Sequence, residues 1–201
     1  MGLTLNSNSL TLEAAGGAAA GGAAAAASLS EADVNTLIKA KTDWTLIESL
    51  DVSGSNVISF EDILDGTYST VKIEGDDLQG NYWMHFRFRT AQGLETSNYG
   101  YSFNRGSSSS GNYQGGSSSY VPFMHDETRQ HPKTFEIVLT GLNGSTKPTG
   151  RFHSGHGTST YDGSYTVGGF IYNATRAVTG FQFQTNTSTV SSGYIKVYGL
   201  N

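Results

Sequence analysis

The sequence predicts an all-β protein: an antiparallel β-sandwich, jelly-roll-like, preceded by an extended Ala/Gly-rich N-terminal arm and one short helix. Three observations predict this. From Trp44 onward, large apolar residues recur at every second position in short runs, the period of a half-buried strand. Between the runs lie turn-forming stretches of Gly, Ser and Thr, with 26 glycines in 201 residues. Ahead of them, positions 14–27 read AAGGAAAGGAAAAA, ten alanines and four glycines with no charge and no large side chain. Ordering a residue costs roughly 1–2 kcal/mol, and methyl groups bury little apolar area in return. Such a stretch needs another surface to order it.

The chain accordingly divides into an attachment arm over 1–29, a short amphipathic helix over 30–42 and a sandwich domain over 43–201. Before the Ala/Gly run, positions 3–12 (LTLNSNSLTL) alternate apolar and polar. They suit either a strand added to a partner or an unordered terminus. The paired glycines at 16–17 and 21–22 each cost a helix roughly 1 kcal/mol, so extended or irregular backbone is expected there. Ala14, Gly16, Gly17, Gly21, Gly22 and Ala27 become candidate assembly contacts, because small residues let backbones approach closely.

The segment SLSEADVNTLIKAK carries helix signals at both ends. Ser30 stands three before Asp33, Glu31 and Asp33 put negative charge on the first turn, and Lys39 and Lys41 occupy the last. Val34, Leu37 and Ile38 form one narrow apolar stripe. At about eleven residues the helix is too short to be stable alone. It must dock on its own sandwich or associate with copies of itself, so the stripe joins the candidate assembly surface.

In the sandwich domain ten strands are expected, at 44–50, 56–60, 68–74, 82–90, 99–103, 120–123, 134–139, 166–172, 178–185 and 194–198. In YWMHFRFRT, Tyr82, Met84, Phe86 and Phe88 share a core face, while Trp83, His85, Arg87 and Arg89 share a solvated or subunit-facing one. Positions 106–119 (GSSSSGNYQGGSSS) read as a flexible loop, and 143–165 as a second irregular stretch. Tyrosines beside a flexible polar loop can stack on sugar rings, which nominates Tyr113 and Tyr120 as glycan contacts.

Composition limits the chemistry. Charged residues make up only 14%, the net charge is −5 and there is no basic block, so neither nucleic acid nor a membrane is an expected partner. Cysteine is absent, which excludes disulfides and thiolate metal sites. His125 and His131 flank Asp126 and Glu127, and His153 and His156 follow in FHSGHG, but no metal-binding motif spaces them, and a turn is expected between His153 and His156. Asp76 and Asp77 read as turn residues, and no nucleophile elbow is present. No catalytic residue, cofactor or metal is therefore expected. The N-terminus lacks the basic and apolar regions of a signal peptide, and Asn6 departs from a myristoylation pattern.

Two stretches, TDWTLIESLDVSGSNVISFEDILDGTYSTVKIEGDDL and YNATRAVTGFQFQTNTSTVSSGYIKVYGLN, together with HFRFRTAQG, resemble a β-sandwich module of structural proteins of tailed bacteriophages, particularly marine and cyanobacterial phages. The corresponding residues are Phe60, Tyr68, Arg89 with Gly93, 180–183 and 192–199. The resemblance covers about 160 residues and implies a non-enzymatic virion component made in the host cytoplasm. Its expected role is capsid decoration (cement) or a tail-associated subunit, with other virion proteins as partners and homo-oligomers, trimers among them. The alternative is a tail-fibre or receptor-binding module contacting host surface glycans.

Overall fold

A computed structural model describes residues 2–6, 9–13, 43–80, 83–107, 110–124, 132–157, 163–186 and 188–201, without the side chains of 2–13, 107–112 and 156–157. The chain divides into two units at the Asp43–Trp44 boundary. In the first, β1 (Gly2–Asn6) and β2 (Ser9–Glu13) pair as an antiparallel hairpin, with Leu3 opposite Leu12 and Leu5 opposite Leu10. Of the extended arm expected over 1–29, residues 2–6 and 9–13 thus form a hairpin, while its Ala/Gly stretch and the helix expected at 30–42 lie outside the described residues.

The second unit is all-β. Its larger sheet has eight antiparallel strands in the order β3 (Thr45–Asp51), β15 (Ser192–Leu200), β5 (Thr70–Gln79), β11 (Lys133–Thr140), β12 (Thr149–Gly157), β13 (Gly163–Tyr172), β8 (Tyr99–Ser107) and β9 (Ser110–Ser118). The smaller sheet runs β10 (Val121–Met124), β6 (Met84–Thr90), β14 (Val178–Thr185) and β4 (Val57–Phe60), with β7 (Gly93–Leu94) also paired to β6.

Burial drives the two sheets together, and aromatic rings form the seam. All ten phenylalanines are buried. Phe86 of β6 meets Phe170 of β13 at 5.4 Å, while Phe123 of β10 meets Phe135 of β11 at 5.0 Å. Phe183 of β14 also packs on Phe135, at 5.4 Å. Each buried ring contributes roughly 1.5–3 kcal/mol of transfer free energy. Alternation of Met84, Phe86 and Phe88 into this core matches expectation. Trp83, Arg87 and Arg89 face the other way: Arg87 donates to Gln184 and Arg89 pairs with Glu61 at 3.1 Å.

Four expectations are corrected. The Gly/Ser stretch at 106–119 is no loop: β9 pairs with β8 in continuous register from Tyr99–Ser118 to Ser107–Ser110. The stretch at 143–165 contains β12, and β13 begins at Gly163. No turn separates His153 from His156, because both lie in β12. Asp76 and Asp77 belong to β5, where one extra residue bulges against both β11 and β15. Asp77 takes a positive φ of 49° there. Opposite it, Gly193 has φ +118°, and an added Cβ would fall 2.7 Å from the Asp77 carbonyl oxygen. Only glycine fits that crossing.

Candidate functional site

In a strand, alternate side chains share a face, so the ladder register assigns the outer surface of the large sheet. One row across it reads Lys196, Glu74, Glu136, His153, Val167, Asn104 and Tyr113. Tyr165 and Ile171 of β13 lie on the same face, as do Tyr194 and Tyr198 of β15. Of the ten large apolar or aromatic side chains exposed among the described residues of this unit, all but Leu50, Val57 and Trp83 lie on this face: Trp44, Leu46, Tyr113, Tyr165, Val167, Ile171 and Tyr194. Concentrating them on one sheet face is the pattern of a contact surface.

The β3–β15–β5 end of this face is capped by cations. Lys72 lies 5.1 Å from the Trp44 ring and 4.9 Å from that of Tyr198, and pairs with Glu74 at 2.7 Å. Lys196 stands 4.7 Å from the Tyr194 ring, whose hydroxyl donates to Asp76 at 2.6 Å. That bond and the carboxylate's charge raise the Tyr194 pKa.

At the β13–β8–β9 end the tyrosines are open. Tyr113 is 76% exposed and Tyr165 53%. A Cβ built on Gly106 would stand 2.6 Å from Cε1, Cζ and Oη of Tyr165. The ring therefore occupies the space a side chain at 106 would fill. Likewise the Tyr113 hydroxyl lies 3.4 Å from a Cβ built on Gly115. The Tyr165 ring thus rests on bare backbone and the Tyr113 hydroxyl reaches over Gly115, with Asn104 and Ser102 exposed on the strand between them.

Two depressions open on this unit, neither lined by Tyr113 or Tyr165. One, of about 370 Å³, is lined by Glu136, Arg151, Phe152, His153, Val167 and Gly168, with His153 Nδ1 3.9 Å from Glu136. The other, of about 590 Å³, lies where β8, β9 and β13 end, and Ser, Thr and Asn side chains line most of it. Asn98, at its rim, has φ 68° and donates its amide to Ser97 Oγ at 3.1 Å. No group of three metal-capable side chains occurs among the described residues; His125 and His131 lie outside them.

Beneath this end sits a polar network. Glu95 accepts from Arg176 Nη1 at 2.8 and 3.0 Å and from Thr90 Oγ1 at 2.7 Å. Tyr99 Oη donates to the Glu95 carbonyl at 3.2 Å and accepts from Phe88 N at 2.7 Å. Burial raises the Glu95 carboxyl, but the Tyr172 hydroxyl, the Thr90 hydroxyl and Arg176 outweigh it and hold the pKa below the usual glutamate value. The Tyr172 hydroxyl is buried and meets no acceptor at hydrogen-bonding geometry. Burial, with the nearby carboxylate, pushes it up to about 12. Burial also raises Tyr99. These bonds tie β6 and β8 to Glu95, which follows β7, and to Arg176, which precedes β14.

The two tyrosines expected to contact glycan are not brought together. Tyr113 stands on the outer face of the large sheet. Tyr120 stacks on His85 of the small sheet at 4.0 Å, with the Arg87 guanidinium 5.5 Å from its ring. Reading 143–165 as irregular also hid Tyr165. The alternation Tyr165, Val167, Gly169, Ile171, extended upstream by two residues, carried that signal. The candidate assembly residues Ala14, Gly16, Gly17, Gly21, Gly22, Ala27, Val34, Leu37 and Ile38 lie outside the described residues. Comparison with known protein families, with curated proteins and with solved structures finds no match.

Proposed function

We propose that this chain is a non-enzymatic structural protein of a phage virion, a capsid decoration (cement) protein or a tail-associated subunit. In this reading the arm over 1–29 and the helix over 30–42 hold it to neighbouring virion proteins. The sandwich, jelly-roll-like in its connections, displays the outer face of its eight-stranded sheet. Homo-oligomers, trimers included, bring several such faces together, and neither nucleic acid nor a membrane takes part. The observation that carries the reading is the contrast in material. Ten buried phenylalanines give the sandwich its own core, whereas the Ala/Gly stretch has no side chains able to build one.

The test is deletion of residues 1–28. The truncated chain is expected to unfold at the temperature of the full chain and to be missing from purified particles. Particles that retain it would overturn the anchoring role. A second reading, a tail-fibre or receptor-binding module contacting host surface glycans, draws on the exposure of Tyr113 on the large sheet.

A further inference from the structure

We propose that the outer face of β13, β8 and β9 is a binding platform for a neutral oligosaccharide, on which Tyr165 and Tyr113 each stack against a sugar ring. This rests on the glycan-contact reading and assigns it residues. A pyranose presents a flat patch of C–H bonds edged by hydroxyls. It is held by an exposed, flat-lying aromatic ring flanked by uncharged hydrogen-bonding groups. Here the glycine floor supplies the flatness. Tyr165 lies over Gly106 of the adjacent strand, and Tyr113 reaches toward Gly115 along its own strand. Any larger residue at 106 would lift the Tyr165 ring off the sheet.

The spacing suits a chain of sugars. Tyr165 and Tyr113 sit two strands apart, about 9.5 Å, and are offset along the strands. Asn104, the register partner of both Val167 and Tyr113, lies between them with Ser102 on the same face. The Asn104 amide supplies two donors and an acceptor, and Ser102 a hydroxyl of either kind.

Charge selects against other stacking ligands. With a net charge of −5, the protein repels nucleic-acid phosphates and acidic polysaccharides alike. Among the described residues the strip carries no carboxylate, cationic or imidazole side chain until Arg151, His153 and Glu136 border it beyond Val167.

The full-length chain is screened on a printed array of neutral, uronic-acid and sulfated oligosaccharides, and neutral ligands are then measured by calorimetry. At least one neutral oligosaccharide is expected to bind. Affinity should fall about tenfold in Tyr113→Ala and in Tyr165→Ala, and stay within threefold in Tyr165→Phe, which keeps the stacking face. Gly106→Ala should weaken binding while the thermal unfolding temperature holds, since it displaces the ring without removing it. If Gly106→Ala fails to fold, the two tyrosine variants decide. Wild-type protein that binds no neutral glycan overturns the proposal. So does binding that both Tyr→Ala variants retain, or binding confined to acidic glycans and lost with added salt. Particle-associated protein that binds no glycan defeats this proposal alone; glycan-binding protein absent from particles defeats the virion assignment alone.

Discussion

The outer face of the eight-stranded sheet carries tyrosines at both ends, and the cross-strand partner of each decides its fate. Tyr198 faces Lys72 in the ladder between β15 and β5, so a cation lies against its ring. Tyr165 faces Gly106 in the ladder between β13 and β8, so its ring lies on backbone and stays open to solvent. Same residue type, same face, same sheet: one end closes its aromatic surface with its own side chains, and the other leaves it available. A ring capped by lysine has its π-face satisfied internally. A ring covering a glycine shields the floor beneath and offers its other side outward.

If the open tyrosines are contact groups and not structural ones, the layer beneath them must carry the stability. Phe170→Ala, which removes a ring packed on Phe86, Phe88 and Phe152, should cost about 3–5 kcal/mol in urea unfolding. A loss under 1 kcal/mol would show that this end does not depend on its core.

Next in size is the Glu95–Arg176 network below the same end. Glu95→Gln should lower stability by about 1–3 kcal/mol at neutral pH, because it breaks charge-assisted bonds to a buried group. The pH dependence has a definite sign. The Glu95 pKa is lower folded than unfolded, so its contribution is present above the ordinary value near 4.5 and is lost as pH falls below it. Wild type should therefore lose stability over that acid range more steeply than Glu95→Gln, measured by thermal unfolding against pH. Parallel curves would contradict the assignment.

At the capped end, Lys72→Met should cost about 0.5–1 kcal/mol by removing the cation shared between Trp44 and Tyr198, with a change in Trp fluorescence. No change in either would mean the capping is incidental. The smallest effect is expected at the open end, where Tyr113→Ala and Tyr165→Ala should each stay within about 0.5 kcal/mol of wild type.

Sequence periodicity located the strands whose inward positions are large. β14 matches its expected span at 178–185, and β6 and β11 match to within a residue or two over the described positions. Their Phe, Ile and Leu residues alternate because one face is buried. β9 was invisible for the opposite reason. SGNYQGGSS has no apolar alternation, and its strand conformation follows from pairing along the whole of β8. Its propensity contributes little. β12 was hidden in the same way by RFHSGHG, where Phe152 is the lone large apolar residue. The Asp76–Asp77 pair looks like a turn locally, and only its partners reveal a bulge in a long strand. Of the candidate site, Tyr113 was legible from its neighbours. Tyr165 was not, because its strand was expected to begin at Thr166 and its platform, Gly106, lies five strands earlier in the sequence, on β8.

Tyrosine nitration of the intact protein, read by peptide mass spectrometry, tests the contrast between the two ends most directly. Tyr113 and Tyr165 should be modified first, Tyr194 and Tyr198 more slowly, and the buried Tyr99 and Tyr172 not at all while the fold holds. Protection of Tyr113 and Tyr165 equal to that of Tyr99 and Tyr172 would contradict an open aromatic surface on β13, β8 and β9.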